Sequence, residues 1–286
     1  MPELPEAETI VRGLQAPLTG QRLTAAEVLY SDVVEEGPAL RRGLEGSRVR
    51  RVHRRGKNVI LDLEPAVGTG SRLVVNLGMS GRLLLREKGD ASPPPTHPGL
   101  RVAVIDAEGS PTGWLIYHDP RRFGRIRLLS ASAFQAWSRT LGPEPLSPQF
   151  RSADLREGLQ RSRSPIRTWL LDQRRVAGVG NIYANEALFL AGIHPETPAC
   201  KVPVERVPGL LRALKKVLRD AISAQGTTLR DYRTAQGWEG SYGTALRVYG
   251  RESLPCPRCW TPVLRCVFGN RSAFLCPRCQ PEPQEP

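Results

Sequence analysis

The amino-acid sequence predicts an α+β, multidomain protein: an N-terminal helix plus a β-sandwich, then a helical domain, then a C-terminal β-hairpin zinc finger. Three observations carry this. Short runs rich in Val, Leu and Ile, punctuated by Gly, Pro and Asp, crowd residues 22–130. Apolar residues recur at helical spacing over 153–225. Two Cys-x-x-Cys pairs stand at 256–259 and 276–279. At 286 residues the chain can bury a sizeable core and divide. The expected division is 1–132 (helix and β-sandwich), 133–150 (linker), 151–245 (helical) and 246–286 (zinc finger and tail).

The chain opens "MPELPEAET". Pro5 suits a first helical turn, where its missing N–H costs little. Glu3, Glu6 and Glu8 would lie near the positive end of the helix dipole. The pattern predicts a helix over 3–15. A second reading starts from loss of Met1, which exposes the secondary amine of Pro2. An α-amino group has a reference pKa of about 8, so much of it is neutral and nucleophilic near neutral pH. Attack on an aldehyde carbon gives an iminium ion, and neighbouring carboxylates can move protons. From these nine residues alone, helix chemistry is the simpler account.

The runs "RLTAAEVLY", "RVRRVHRRGKNVILDLE", "RLVVNLG", "GRLLLRE", "LRVAVIDA", "GWLIYHD" and "RIRLLS" read as strands. "GDASPPPTHPG" (89–99) is a surface loop and "LGPEPLSPQF" (141–150) a linker. In the helical region, Leu210, Leu211, Leu214, Val217, Leu218 and Ile222 make one face. Arg212, Lys215, Lys216 and Arg219 fall on the solvated side. Residues 226–244 are polar and Gly-rich, the composition of a flexible loop. In "VAGVGNIYANEALFLAGIHP" (176–195), a Gly-x-Gly-Asn turn feeds a helix. Asn181 suits its N-cap. The same turn offers backbone N–H groups, helix dipole and the Asn181 amide to a phosphate.

Cys256, Cys259, Cys276 and Cys279 have the spacing of a tetrahedral Zn²⁺ site on a hairpin. All four positions are filled by protein, so the zinc is structural. Arg271, just past a turn at "FGN", would project from the tip, to a phosphate or to solvent. Cys266 reads as strand packing and Cys200 as a small buried residue. The formal net charge is +13 and the pI about 10.1, which favours a polyanionic partner. A soluble protein with a basic surface, or arginine enrichment from a GC-rich genome, would leave the same excess. No stretch is apolar and long enough to cross a bilayer, and no secretory signal is expected.

"MPELPE", "DPRRFG" (119–124), "GVGNIYANEALF" (178–189), "TTLRDY" (227–232), "VYGR" (248–251) and the terminal cysteine pairs stand in one order. In that order the chain resembles the bacterial formamidopyrimidine-DNA glycosylases over essentially its whole length. The related endonuclease VIII group begins Pro-Glu-Gly where this chain has Pro2-Glu3-Leu4. The resemblance implies a base-excision repair enzyme, both DNA glycosylase and abasic-site lyase. It would excise 8-oxoguanine and formamidopyrimidines through a Schiff base on the N-terminal proline, then cut the strand by β,δ-elimination. It also implies a helix–two-turns–helix in the helical domain, one structural zinc and no cofactor in the chemistry. The partner would be damaged double-stranded DNA, with no membrane and no obligate protein partner. The protein would be a monomer in the bacterial cytoplasm, on the nucleoid through DNA.

Residue by residue, the resemblance makes Pro2 the nucleophile, Glu3 the proton shuttle and Glu6 the residue that holds the amine. Lys57 would contact phosphate near the lesion and assist elimination. Met79, Arg121 and Phe123 would fill the gap left by the extruded base, with Arg121 facing the orphaned cytosine. Asn76, Asn181 and Arg271 would hold phosphates. Without the family, "DPRRFG" reads as a turn, Met79 as core and Lys57 as a surface lysine. Asn76 stands where the family often has His. Arg161, Arg163 and Arg167 stand where it usually has lysine, and arginine cannot act as a base. In the loop Thr234 to Gly243, Trp238 and Tyr242 offer stacking faces. Two other readings use the same residues: a catalytically silent DNA-damage-binding protein of this fold, or an endonuclease VIII-like enzyme for oxidised pyrimidines.

Overall fold

The computed structural model describes residues 2–65, 70–228 and 232–283. Met1 and the centre of the "TTLRDY" motif, 229–231, lie outside the described residues. The chain forms two compact units. One is Met1–Thr140 with Ala224–Ser241; the other is Leu141–Ser223 with Tyr242–Pro286.

The first unit begins with α1 (Leu4–Leu18), longer than the 3–15 expected. Its buried residues Leu4, Ala7, Ile10, Val11, Leu14 and Leu18 fall at three- and four-residue spacing, so one stripe enters the core. Eight strands follow: β1 (Arg22–Val28), β2 (Ser47–Arg55), β3 (Asn58–Glu64), β4 (Ser71–Asn76), β5 (Arg82–Glu87), β6 (Pro98–Ile105), β7 (Pro111–His118) and β8 (Arg125–Ser130). Each matches an apolar run read from the sequence. Two short helices, α2 (Gly37–Leu44) and α3 (Ala131–Arg139), flank them. The antiparallel order is β5-β7-β6-β1-β2-β3-β4-β8. Its halves join through only two residue pairs, Arg22↔Arg48 and Leu23↔Ser47. Val102, Val104 and Leu115 from one half and Val59, Leu61 and Leu73 from the other share a single core with α1.

Two sequence expectations change here. Residues 133–139 are the end of α3 rather than linker. Residues 226–241, expected as a loose loop closing the helical domain, belong to the first unit. Tyr232 and Ala235 are buried in its core, and Leu85 N donates to Ala235 O at 3.0 Å. Polar, Gly-rich composition hid two anchoring side chains.

The second unit holds α4 (Ser152–Gln160), α5 (Ile166–Leu171), α6 (Asn181–Ala191), α7 (Val207–Ser223) and a hairpin of β9 (Leu264–Phe268) and β10 (Arg271–Leu275). Helix α6 is central, with every residue from Ile182 to Phe189 buried. The six apolar residues named on α7 are all buried against it and its neighbours. The zinc finger is not a separate body. Phe189 of α6 packs with Val248, Cys256, Val263, Phe274 and Cys276, and Arg258 donates to the carbonyls of Phe189 and Leu190. Cys200 is exposed, against the burial expected of it. Among the described residues, no helix is long and apolar enough to cross a membrane.

Candidate functional site

In the first unit, the start of the chain is held by its own first turn. Pro2 and Glu3 are buried and lead directly into α1. One Glu6 oxygen accepts the Glu3 backbone N–H at 2.7 Å; the other accepts the Thr227 N–H at 2.8 Å. Glu6 is 1% exposed and both its oxygens are engaged, an arrangement suited to holding rather than to shuttling protons. Gly226 makes the second bond geometrically possible. Its φ is +88°, and a Cβ there would meet the Tyr232 ring at 2.9 Å and Glu6 Oε1 at 3.1 Å. Burial, and then the Glu6 carboxylate, push the Tyr232 hydroxyl far above the usual phenol range.

Lys57 lies in the two-residue turn between β2 and β3, where Arg55 pairs with Asn58. Arg54 ties that turn to α1: its guanidinium donates to Glu8 Oε2 at 3.1 Å and to Gly56 O at 2.8 Å. The turn that bears Lys57 is thus tied to α1, the helix that Pro2 and Glu3 lead into. Asn76 closes β4. Its Nδ2 donates to Asn58 Oδ1 at 2.9 Å, and its Oδ1 accepts from Gly78 N at 3.0 Å. One amide hydrogen is therefore committed within the protein.

Met79 is not core. It is 38% exposed, in a turn whose backbone touches the "DPRRFG" turn. A Cβ on Gly78, at φ +58°, would lie 2.5 Å from both Gly124 N and Phe123 C. Phe123 is 54% exposed, and the Arg121 guanidinium lies over its ring at 4.8 Å. Large apolar side chains exposed on adjoining turns mark a contact surface. Beneath them lies Asp119, wholly buried, accepting from Ser80 Oγ (2.7 Å), Tyr117 Oη (3.0 Å), Gly124 N (2.9 Å) and Arg121 N (3.3 Å). One carboxylate fixes both turns. The sequence alone assigns Asp119 no role; a lone Asp before Pro carries only a turn signal.

In the second unit, Asn181 is the first residue of α6, and Gly180, not Asn181, is the N-cap. The Asn181 side chain turns sideways instead. Its Nδ2 donates to Ser272 O at 2.9 Å, and its Oδ1 accepts from Arg167 Nη2 at 2.8 Å. Arg271 begins β10 and is exposed. The turn beneath it is Gly269-Asn270, both at positive φ, between the paired residues Phe268 and Arg271. Of the three arginines in place of lysine, Arg161 pairs with Glu157 on the surface and Arg163 is exposed. Arg167 is only 1% exposed. No expectation from the sequence covers its burial, although it sits among Ile166, Trp169 and Leu170, all buried.

Tyr242 is 2% exposed with its ring 6.1 Å from that of Tyr183, which removes it as a stacking platform. Trp238, in the first unit, is 64% exposed. Glu186, unremarked in the sequence, is fully buried and accepts the backbone N–H groups of Arg247, Val248 and Tyr249. It fixes the "VYGR" turn.

The sulfurs of Cys256, Cys259, Cys276 and Cys279 lie within 4.8 Å of one another. Individual pairs are 3.9, 3.4 and 3.5 Å apart. A ZnS₄ tetrahedron with Zn–S near ~2.3 Å needs S···S near ~3.8 Å, so the four thiolates fit structural zinc. Cys266, on β9, is outside the cluster.

Three family models match this chain: the formamidopyrimidine-DNA glycosylase N-terminal domain over residues 1–126, the formamidopyrimidine-DNA glycosylase H2TH domain over 141–233, and a zinc finger found in FPG and IleRS over 253–281. The formamidopyrimidine-DNA glycosylase of Chloroflexus aggregans is 42% identical, covering 98% of each chain. The crystal structure of the MutM (FPG) protein from Thermus thermophilus matches with a TM-score of 0.85 at 39% identity, over 99% of this chain and 100% of that one. The Lactococcus lactis Fpg in complex with abasic-site DNA matches with a TM-score of 0.87 at 32% identity, over 98% and 100%. Domain order, zinc ligands and full-length identity agree, and the chain belongs to the formamidopyrimidine-DNA glycosylase family.

Proposed function

We propose that this protein excises oxidised purines from duplex DNA and then cleaves the abasic strand. The observation that carries the reading is the clamp on the first turn. Glu6 holds the Glu3 N–H on one oxygen and the Thr227 N–H on the other, so the residue before Glu3 has one fixed position. With Met1 cleaved, the Pro2 nitrogen is the nucleophile.

A base inside a duplex is out of reach, and extruding it costs a few kcal/mol. Met79, Arg121 and Phe123 offset that loss by filling the vacated stack. Arg121 supplies donors for the orphaned base. Neutral Pro2 attacks C1′, and the base leaves with the bonding pair and a proton. Glu3 protonates the ring oxygen as the sugar opens to an iminium ion. The iminium acidifies C2′; loss of that proton expels the 3′ phosphate, and a second elimination expels the 5′ phosphate. Lys57 steadies the phosphate beside the lesion. Asn76, Asn181 and Arg271 bind backbone phosphates, so affinity falls steeply with salt. Water then hydrolyses the iminium, freeing Pro2 and releasing the unsaturated sugar as an aldehyde; the product is a one-nucleoside gap with phosphate at both ends. Through its DNA the protein resides on the nucleoid.

Borohydride reduction on duplex DNA carrying 8-oxoguanine tests the reading. The expected result is a covalent conjugate that peptide mapping places on Pro2. Trapping on an internal lysine overturns the assignment of the nucleophile. Binding without trapping favours the silent clamp.

A further inference from the structure

Arg167 sits in α5 with its guanidinium sealed from solvent, 1% exposed. Nη2 donates to Asn181 Oδ1 (2.8 Å), Ser272 O (2.9 Å) and Arg271 O (3.3 Å), and Nη1 to Phe268 O (3.4 Å). The three carbonyls flank the Gly269-Asn270 turn that carries Arg271. Asn181 Nδ2 donates to the same Ser272 carbonyl at 2.9 Å. Arg167, Asn181 and the backbone under Arg271 are therefore joined by one connected set of hydrogen bonds.

We infer that Arg167 is a positioning residue that locks Asn181 and the Arg271 turn into a single phosphate-binding unit and does not touch the lesion. The inference rests on the reading of Asn181 and Arg271 as phosphate contacts. A donor facing Asn181 Oδ1 fixes which way the amide points. One Nδ2 hydrogen goes to Ser272 O, and the other is left for a phosphate oxygen. The guanidinium suits this role because Nη2 gathers three acceptors at Asn181 and the start of β10 while Nη1 reaches Phe268 O across the turn. Its charge lies beside the N-terminus of α6 and adds to the positive potential there. A side chain with so little surface has none to offer an extruded base, which separates this role from the purine-handling lysine of related enzymes.

The test is a cycle between Arg167→Gln and the paired change Asn181→Ala with Arg271→Ala, in the full-length zinc protein. The probe is a duplex bearing a tetrahydrofuran abasic analogue, read by anisotropy. Arg167→Gln is expected to weaken binding about tenfold in the wild-type background and less than about twofold on the paired background. Excision of 8-oxoguanine at saturating DNA stays within about twofold, because the chemistry is untouched. Arg167→Lys recovers part of the affinity and carries the comparison if Arg167→Gln loses zinc. A full tenfold loss on the paired background overturns the inference. So does a fall in saturated purine excision with abasic cleavage retained. If the paired change itself leaves affinity intact, the phosphate reading falls and the inference with it; if only the cycle is additive, the inference alone falls.

Discussion

Replacing Asp119 by Asn should loosen the paired turns that carry Met79 and Phe123. The two side chains have nearly the same shape, so the change is electronic. Asp119 accepts four donors, two on each oxygen. Asn keeps one oxygen and presents an NH₂ on the other side. Serine and tyrosine hydroxyls can reverse and accept, but a backbone N–H cannot. The amide will therefore face Ser80 and Arg121, where the backbone bond is the longer one at 3.3 Å, and will keep its oxygen on Gly124 N at 2.9 Å. The part-buried N–H of Arg121 loses its acceptor, and the remaining bonds lose their charge assistance. Together these cost about 2 kcal/mol. For a chain of 286 residues that is a fall in Tm of about 3 °C. The functional effect follows from the same loosening. Single-turnover excision of 8-oxoguanine from a paired duplex should fall about tenfold, the rate equivalent of ~1.4 kcal/mol of wedge stability. Cleavage of a ready-made abasic site, where no base must be pushed out, should fall much less. Calorimetry and quench-flow kinetics give the two readings. An Asp119→Asn protein with wild-type Tm and excision rate would refute the argument that this carboxylate holds the turns.

Other outcomes are expected. Gly226→Ala places a Cβ at φ +88° against Tyr232 and Glu6; it should cost about 2 kcal/mol by chemical denaturation and slow borohydride trapping more than DNA binding. Chelation should release one zinc per chain by elemental analysis and weaken duplex affinity at least about tenfold, because the Arg271 turn loses its support. His118 and His194 are both held below the reference value of 6.5, chiefly by burial. The folded state thus binds fewer protons than the unfolded, so their contribution is full above about pH 6.5 and is lost as pH falls through the folded values. The Tm should drop between about pH 7 and pH 5, and His118→Gln with His194→Gln should flatten that slope. Iodoacetamide should label Cys200 readily in the native protein with zinc retained, since that thiol is exposed.

Local signals are readable wherever the chemistry is local. Short apolar runs and turn residues mark the eight strands of the first unit, because each of them sends side chains into one shared core. The cysteine spacing fixes the zinc ligands for the same reason: two short knuckles define a tetrahedron. What the sequence conceals is long-range. The bond from Thr227 to Glu6 spans 221 positions, and a polar stretch gives no sign of it. The burial of Arg167 leaves no mark in the sequence, because three of its four partners are carbonyls about a hundred residues away, and every residue has a carbonyl. Asn181 reads as a cap because Asn before an apolar helix usually is one; here Gly180 takes the cap and the amide serves β10 instead.

The first unit is assembled from two separated stretches of chain, and this sets an order of events during synthesis. Everything up to Thr140 leaves the ribosome before the strip from Ala224 to Ser241 exists. At about 5–20 residues per second the interval is roughly 4–20 seconds. For that time the nascent sheet lacks Tyr232 and Ala235, and the Glu6 carboxylate lacks the backbone N–H of Thr227. A prematurely terminated chain would carry α1 without the backbone N–H that holds Glu6. Competence to cut a chromosome therefore arrives only once nearly the whole polypeptide has been made.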